Sequence, residues 1–119
     1  MSNTSVLVFC YGSLKRGFHN HHLLNQSKYL GDHVTEAEFT MYDLGSYPAI
    51  TENGHSAIHG EVYDDAPNTF NNLDVLEGYP EFYNRIQIMT SFGFVWVYVL
   101  NLLVNGGKPV VKSGVWLKR

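Results

Sequence analysis

The chain has 119 residues, of which 45% are hydrophobic and 14% aromatic, and its formal net charge at pH 7 is −3. This length suits one domain, residues 1–119, that buries on the order of two-thirds of the surface its unfolded form exposes. The small negative charge and the lack of a basic stripe exclude the electrostatic footprint of a nucleic-acid-binding protein. The adjacent Lys15 and Arg16 are therefore expected to be solvated.

The apolar segments and the cysteine content indicate the cellular compartment of the protein. No apolar run approaches the roughly 18 residues that a membrane span needs, and the N-terminus lacks the pattern of a signal peptide. We expect a cytoplasmic protein with no membrane partner. The single cysteine, Cys10, fits a reduced compartment. It lies in the apolar run "VLVFC", so a small buried side chain is favoured over a nucleophile, since nothing nearby would lower its pKa.

The first half of the chain is predicted to be mostly strand. Residues 5–11 are apolar on both faces, which predicts a central strand. Residues 20–27 have weak helical character. Residues 38–64 are rich in strand-forming residues, and the Asn53-Gly54 turn pair indicates a hairpin between the runs on either side of it.

The second half contains the clearest helix, over residues 67–77. Pro67 lies at its start and Gly78 just past its end, the asymmetry typical of helix termini. Two alternating strands follow around the "SFG" turn, the second extending over 94–104, and a turn at 105–109 precedes a short tail. This order predicts an α+β fold with a mainly antiparallel sheet, either curled or closed into a barrel, and helices against it.

The helix carries a carboxylate where its pattern requires an apolar residue. Its core stripe contains Phe70, Leu73 and Leu76, and Glu77 falls on the same face two turns after Phe70. Burial, the negative end of the helix dipole and the nearby Asp74 would all raise the pKa of Glu77. Such a carboxylate is a candidate general base. The alternative is a helix that frays at its end and exposes this side chain to solvent.

Other polar residues are weaker candidates. Glu61 is either a second pocket carboxylate or an exposed charge, and exposure is favoured. The histidines of "HNHH" and "HSAIH" do not have a known ligand spacing such as H-E-x-x-H, so solvated side chains are favoured over a metal site. Ser13 is disfavoured as a nucleophile, because "CYGSLKRG" is not G-x-S-x-G and no base is assigned beside it. The glycine-bearing loop can instead aim backbone N–H groups at a carboxylate or an oxyanion.

Four motifs in order, "VFCYGSLKRG", "YDLGSYPAI", "HGEVYDD" and "LDVLEGYPEFYNR", resemble those of the γ-glutamylcyclotransferase-like family, in particular its small-domain γ-glutamylamine cyclotransferase branch. The resemblance covers about residues 6–98. It implies a small mixed β-barrel with flanking short helices. It also implies an enzyme that needs no cofactor and catalyses intramolecular aminoacyl transfer. In that reaction the γ-glutamyl group of a γ-glutamyl amine or amino acid cyclises to 5-oxoproline and the amine is released.

The resemblance also assigns roles to six residues of this chain: Tyr11, Gly12, Ser13 and Leu14 in the substrate loop, Tyr83 in the pocket and Glu77 as the essential acidic residue. It implies that the loop holds the glutamyl head of a small γ-glutamyl substrate by its N–H groups, while Glu77 transfers a proton. The competing interpretation is a non-catalytic binding module that kept the pocket. The glutamate at position 77 favours the enzyme.

Overall fold

A computed structural model of the chain describes residues 5–100 and 108–118. Within these ranges the elements in chain order are β1 (Val6–Cys10), a 3₁₀ helix (His21–Leu24), β2 (Lys28–Val34), β3 (Phe39–Asp43), β4 (Pro48–Glu52), β5 (His59–Asp65), α1 (Pro67–Glu77), β6 (Tyr83–Thr90) and β7 (Gly93–Leu100). The predicted α+β class is confirmed. None of the helices described is long and apolar enough to cross a membrane.

The strands form two sheets. The larger has the order β2-β5-β1-β7-β6 and is antiparallel except for the β1–β7 pair, while β3 and β4 pair separately as an antiparallel hairpin. The mainly antiparallel arrangement is therefore confirmed. The β3–β4 hairpin does not extend the larger sheet, and its strand β4 contacts β7.

Strand β1 is the middle strand of the larger sheet, as its two apolar faces predict. On one face, Phe9 packs in a cluster with residues of the β3–β4 hairpin such as Met41. On the other face, Val8 and Cys10 pack in a cluster with Leu73 of α1. Val8, Phe9 and Cys10 are all almost fully buried, which confirms the prediction of a buried cysteine. Because the core covers both faces, this strand is a rigid support for the loop that follows it.

Helix α1 has the predicted bounds. Gly78 adopts the left-handed conformation at the helix end with φ of 68°, and its N–H group donates to the carbonyl oxygens of the last turn. The helix therefore does not fray before Glu77. Its apolar stripe is shorter than predicted, since Phe70 and Leu73 are buried but Leu76 is 42% exposed.

The predicted hairpin around Asn53-Gly54 is wrong in its pairing. Asn53 has the positive φ of a turn residue, 69°. However, β4 pairs with β3, and β5 pairs with β1 and β2. The turn signal is local, whereas the choice of partner strand is decided by which apolar faces the rest of the core covers.

Three further expectations require correction. The helical segment over residues 20–27 is reduced to the single 3₁₀ turn, and β2 has no counterpart in the prediction. The sequence of β2, "KYLGDHV", lacks clean alternation, and its register against β5 shifts near Gly31.

Lys15 is not solvated: it is 8% exposed, and its Nζ donates to the carbonyl oxygen of Trp116 at 2.8 Å. The predicted strand over 101–104 and the turn residues 105–107 lie outside the described residues.

Asp65, the last residue of β5, is a buried carboxylate in this fold. It is 1% exposed. Burial raises its pKa from 3.8 to about 6, although the Ser27 hydroxyl beside it favours the charged form.

We expect Asp65→Asn to stabilise the protein more at pH 8 than at pH 4. A carboxyl whose pKa is raised on folding ionises more easily in the unfolded chain, so it lowers stability above its folded pKa and has no such effect below its ordinary pKa. Because the pKa of Asp65 rises from 3.8 to about 6 on folding, the gain in unfolding free energy should be larger at pH 8 than at pH 4 by up to about 3 kcal/mol. Urea unfolding of both forms at the two pH values measures it. Asp64→Asn, at the neighbouring half-buried carboxylate, is the control, and a pH-independent gain for Asp65→Asn would contradict the argument.

Candidate active site

A cavity of about 260 Å³ lies where β1 and α1 both end. Its lining contains all six residues to which the family resemblance assigns roles: Tyr11, Gly12, Ser13, Leu14, Glu77 and Tyr83. The loop after β1 supplies the first four, the last position of α1 supplies Glu77, and β6 begins with Tyr83. The fold thus brings together three segments that are distant in sequence, in a space suited to a small molecule.

The loop after β1 uses its carbonyl groups for its own structure, whereas several of its N–H groups have no partner among the described residues. The carbonyl oxygens of Gly12, Ser13 and Leu14 accept hydrogen bonds of 2.9–3.1 Å from residues 15–21. The N–H groups of the same three residues donate to no acceptor in the described part of the chain. Unpaired N–H groups in a largely buried loop are costly, and a bound carboxylate or oxyanion would satisfy them.

The side chains of the loop are held in place as well. The Tyr11 hydroxyl donates to the carbonyl oxygen of Tyr98 at 2.8 Å, and both rings are buried. The Ser13 hydroxyl accepts a hydrogen bond of 2.9 Å from the side-chain amide of Asn20. An amide cannot take a proton from a serine, so this contact gives Ser13 no general base.

Gly12 and Tyr83 both contact Pro48, at the start of β4. The Tyr83 hydroxyl, on a ring that is 3% exposed, donates to the carbonyl oxygen of Pro48 at 2.7 Å. A Cβ atom at Gly12 would lie 2.8 Å from both Cγ and Cδ of the same proline. A glycine is therefore required for the loop to pack this closely against β4.

Glu77 is partly buried in the cavity wall. Burial raises its pKa from 4.5 to about 7, so it titrates near neutral pH. Within the described ranges its carboxylate has no hydrogen-bond or ion-pair partner. A carboxyl group with this pKa can both accept and return a proton at physiological pH.

Asp74 does not contribute to that shift as predicted. Its carboxylate accepts hydrogen bonds from Arg85 Nε and Nη2, at 3.0 and 3.2 Å, and from the Tyr98 hydroxyl at 2.7 Å. Its charge is thus compensated, and burial is the cause of the raised pKa of Glu77. The Arg85 guanidinium also lies 4.6 Å from the ring centre of Trp96, so this ion pair joins α1 to β6 and β7 beside the cavity.

The expectation that Glu61 is exposed is wrong, and Glu61 also does not line the cavity. Its side chain is 13% exposed and accepts hydrogen bonds from the Tyr63 hydroxyl at 2.9 Å and the Arg16 N–H group at 3.0 Å. It lies on β5, between β1 and β2, where a carboxylate needs these partners to be stable.

Cys10 and the histidines are the other candidates for chemistry that the sequence raises. Cys10 lines the cavity, but burial, with smaller effects from Asp65 and Glu77, raises the pKa of its thiol well above the usual range and keeps it protonated. No three His, Cys, Asp or Glu side chains in residues 5–100 and 108–118 lie close enough together to hold a metal ion.

The cavity also contains residues that the sequence analysis does not place there: His19, Asn20, Tyr47, Phe82 and Tyr98. Phe82 carries no signal that separates it from Tyr79, an aromatic residue of the same turn that does not line the cavity. Tyr98 carries none, since it lies in a strand with buried residues on both faces. Their position in the cavity wall depends on the tertiary structure.

The chain is a small α+β protein with a cavity at the end of its central strand. The sequence profile of the family described as gamma-glutamyl cyclotransferase, AIG2-like, matches residues 8–118. The chain is 42% identical over 113 residues to a candidate gamma-glutamylcyclotransferase of Vibrio cholerae, covering 95% of this chain and 96% of the relative. It is 37% identical over 112 residues to the gamma-glutamylcyclotransferase family protein YtfP of Escherichia coli K12, covering 94% and 96%.

Solved structures show the same relationship. The solution NMR structure of Escherichia coli YtfP superposes with a TM-score of 0.77 at 36% identity, covering 94% of this chain and 96% of that one. An AIG2-like protein of mouse shares the fold, with a TM-score of 0.73 at 24% identity and coverage of 86% and 81%. This chain belongs to the gamma-glutamyl cyclotransferase, AIG2-like family, which confirms the resemblance of the four sequence motifs. Membership supports a cyclotransferase-like function.

Proposed function

We propose that the protein is a cytoplasmic enzyme that converts a γ-glutamyl amine or γ-glutamyl amino acid to 5-oxoproline and the free amine. The observation that carries this proposal is the cavity itself. Its lining includes Gly12, Ser13 and Leu14, whose N–H groups have no partner among the described residues, together with Glu77, whose carboxyl group has a pKa of about 7.

The reaction is internal to the substrate. The α-amine nitrogen attacks the γ-carbonyl carbon, a five-membered lactam closes, and the bond from that carbon to the leaving nitrogen breaks. In total two protons leave the α-ammonium nitrogen, which becomes the lactam N–H group, and two reach the leaving nitrogen, which departs as an ammonium ion. Neither water nor a protein nucleophile is consumed. The enzyme has mainly to hold a folded conformer of the substrate, an effect worth up to roughly 7 to 11 kcal/mol in favourable cases.

Each part of the site has a role in this proposal. The loop N–H groups bind the negatively charged oxygens of the glutamyl head or the oxyanion that forms at the γ-carbonyl. Glu77 takes a proton from the α-ammonium group and gives it to the departing amine. Tyr83, fixed by its hydrogen bond to Pro48, forms the wall beside the reacting atoms.

A panel of γ-glutamyl amines and γ-glutamyl amino acids tests the proposal. We expect purified protein to release 5-oxoproline and the free amine in equal amounts from at least one of them, as measured by mass spectrometry. Binding without turnover across the panel would support the non-catalytic binding module instead. Neither binding nor turnover would reject both interpretations.

We expect turnover to survive EDTA. Proton transfer and ring closure require no Lewis acid, and the described side chains provide no cluster of metal ligands. The measurement is the rate of 5-oxoproline formation before and after dialysis against the chelator. A loss of rate that zinc restores would direct attention back to the histidines.

A further inference from the structure

The cavity mouth is apolar. Three large hydrophobic residues in its lining remain well exposed: Tyr47 at 40%, Leu76 at 42% and Phe82 at 39%. They come from the loop between β3 and β4, from the last turn of α1 and from the turn between α1 and β6. Large apolar side chains grouped around a cavity indicate that something apolar covers them in the functional state.

Tyr47 and Phe82 belong to a line of aromatic rings that continues into the interior as far as Tyr83. The ring centres of Tyr47 and Phe82 are 6.4 Å apart with planes at 74°, and those of Phe82 and Tyr83 are 4.9 Å apart at 90°. These are favourable edge-to-face contacts. Since Tyr83 is buried and bonded to Pro48, the line joins the exposed mouth to the wall beside the proposed reacting atoms.

The charged residues that line the cavity limit which leaving groups can occupy its mouth. Among the described residues that line the cavity, there is no lysine or arginine, and Glu77 is the one carboxylate. A leaving group with a carboxylate of its own would therefore find no lysine or arginine there to pair with it, and the lining histidine, His19, already contacts the Asn20 side-chain amide through Nε2 at 3.3 Å. A leaving group with a second ammonium would compete for Glu77, which the α-ammonium group already needs.

Resting on the proposed function, we infer that the amine released carries an uncharged, apolar substituent, preferably an arylalkyl group, which packs against Tyr47, Phe82 and Leu76. The glutamyl head then occupies the polar loop end of the cavity. The leaving nitrogen lies between the two parts, within reach of Glu77. The aromatic line and the exposed Leu76 form the two sides of the leaving-group subsite.

The test compares kcat/KM for three substrates that differ in the leaving group: γ-glutamyl-phenethylamide, γ-glutamyl-methylamide and γ-glutamylglycine. We expect the phenethylamide to exceed the methylamide by at least about tenfold, and γ-glutamylglycine to be the poorest. Phe82→Ala should lower the ratio of phenethylamide to methylamide to within about threefold of unity, and Phe82→Trp should retain most of it. Phe94→Ala is the matched control, since Phe94 is 60% exposed but does not line the cavity, and it should leave the ratio unchanged.

Failure of this inference differs from failure of the proposed function. Turnover of the methylamide without a preference for the phenethylamide, or a preference for γ-glutamylglycine, overturns the inference and leaves the cyclotransferase activity in place. No turnover of any of the three counts against the activity, and calorimetric affinities for the same compounds then decide the inference. Tighter binding of the phenethylamide that is lost in Phe82→Ala supports it, and equal affinities or no binding overturn it.

Discussion

Glu77→Gln is expected to lower the turnover rate by about 10²- to 10⁴-fold while the protein remains folded. Glutamine keeps the size of the side chain and most of its hydrogen-bonding reach, but it cannot accept a proton from the α-ammonium group. In the parent protein, kcat/KM should increase with pH as Glu77 ionises around its pKa of about 7. The variant should lose that ionisation from its pH profile.

The same substitution has a defined effect on stability. The pKa of Glu77 rises from 4.5 to about 7 on folding, so the unfolded chain ionises it more easily. The carboxylate therefore lowers stability above pH 7, and this effect disappears as the pH falls from 7 to 4.5. The glutamine variant should melt at the same or a higher temperature than the parent at pH 8, and any advantage should shrink toward pH 4.

Turnover of both proteins at pH 8, with thermal unfolding at pH 4 and pH 8, decides the role of Glu77. Glu81→Gln, at an exposed glutamate outside the cavity lining, is the control and should keep the parent rate. A Glu77→Gln variant that keeps more than about a tenth of its rate would remove this residue as the base. One that is inactive and also much less stable would show a structural carboxylate.

Much of the fold could be predicted because its signals are local. Pro67 and Gly78 mark the two ends of α1, and the alternation of residues 83–100 marks the β6–β7 hairpin. The two apolar faces of β1 predict its central place, since only a strand covered on both sides can be apolar throughout.

The rest depends on contacts between distant segments. Nothing near Asn53-Gly54 reveals that β5 pairs with β1 and β2 and not with β4. Lys15 illustrates the same limit, because the carbonyl group that it bonds belongs to Trp116, far along the chain. A lysine beside an arginine is usually solvated, and only the packing of the C-terminal segment against the loop makes this one buried.

The candidate site likewise has features that the sequence predicts and features that depend on contacts between distant segments. Glu77 can be found in the sequence because it breaks the apolar pattern of its helix, and the loop after β1 because a glycine follows a buried strand. The hydrogen bonds by which Arg85 and Tyr98 compensate the charge of Asp74 cannot be predicted from the sequence, because the three residues lie on three different elements. This compensation matters chemically, since it leaves burial as the cause of the raised pKa of Glu77.

Gly12→Ala is expected to lower kcat/KM by about 10²-fold, because even a small displacement of positioning groups is costly in catalysis. The added methyl group would lie 2.8 Å from Cγ and Cδ of Pro48, and a proline ring cannot rotate away. The loop must therefore move, and its N–H groups move with it relative to Glu77. The overpacking should also lower stability, by about 1 to 3 kcal/mol. Activity is measured well below the melting temperature, so that loss of folded protein does not contribute.

A double-mutant cycle with Pro48→Ala identifies the contact as the cause. Alanine at position 48 lacks both of the ring carbons that the new methyl group would meet. The variant that carries both substitutions should therefore be at least about tenfold more active than Gly12→Ala alone, a non-additivity expected of coupled residues and not of distant, independent sites. Losses that simply add would mean that Gly12 is needed for a reason other than its packing on Pro48. Full activity of Gly12→Ala would show that the position of this loop does not govern the reaction, and the proposed binding of the glutamyl head by its N–H groups would then be wrong.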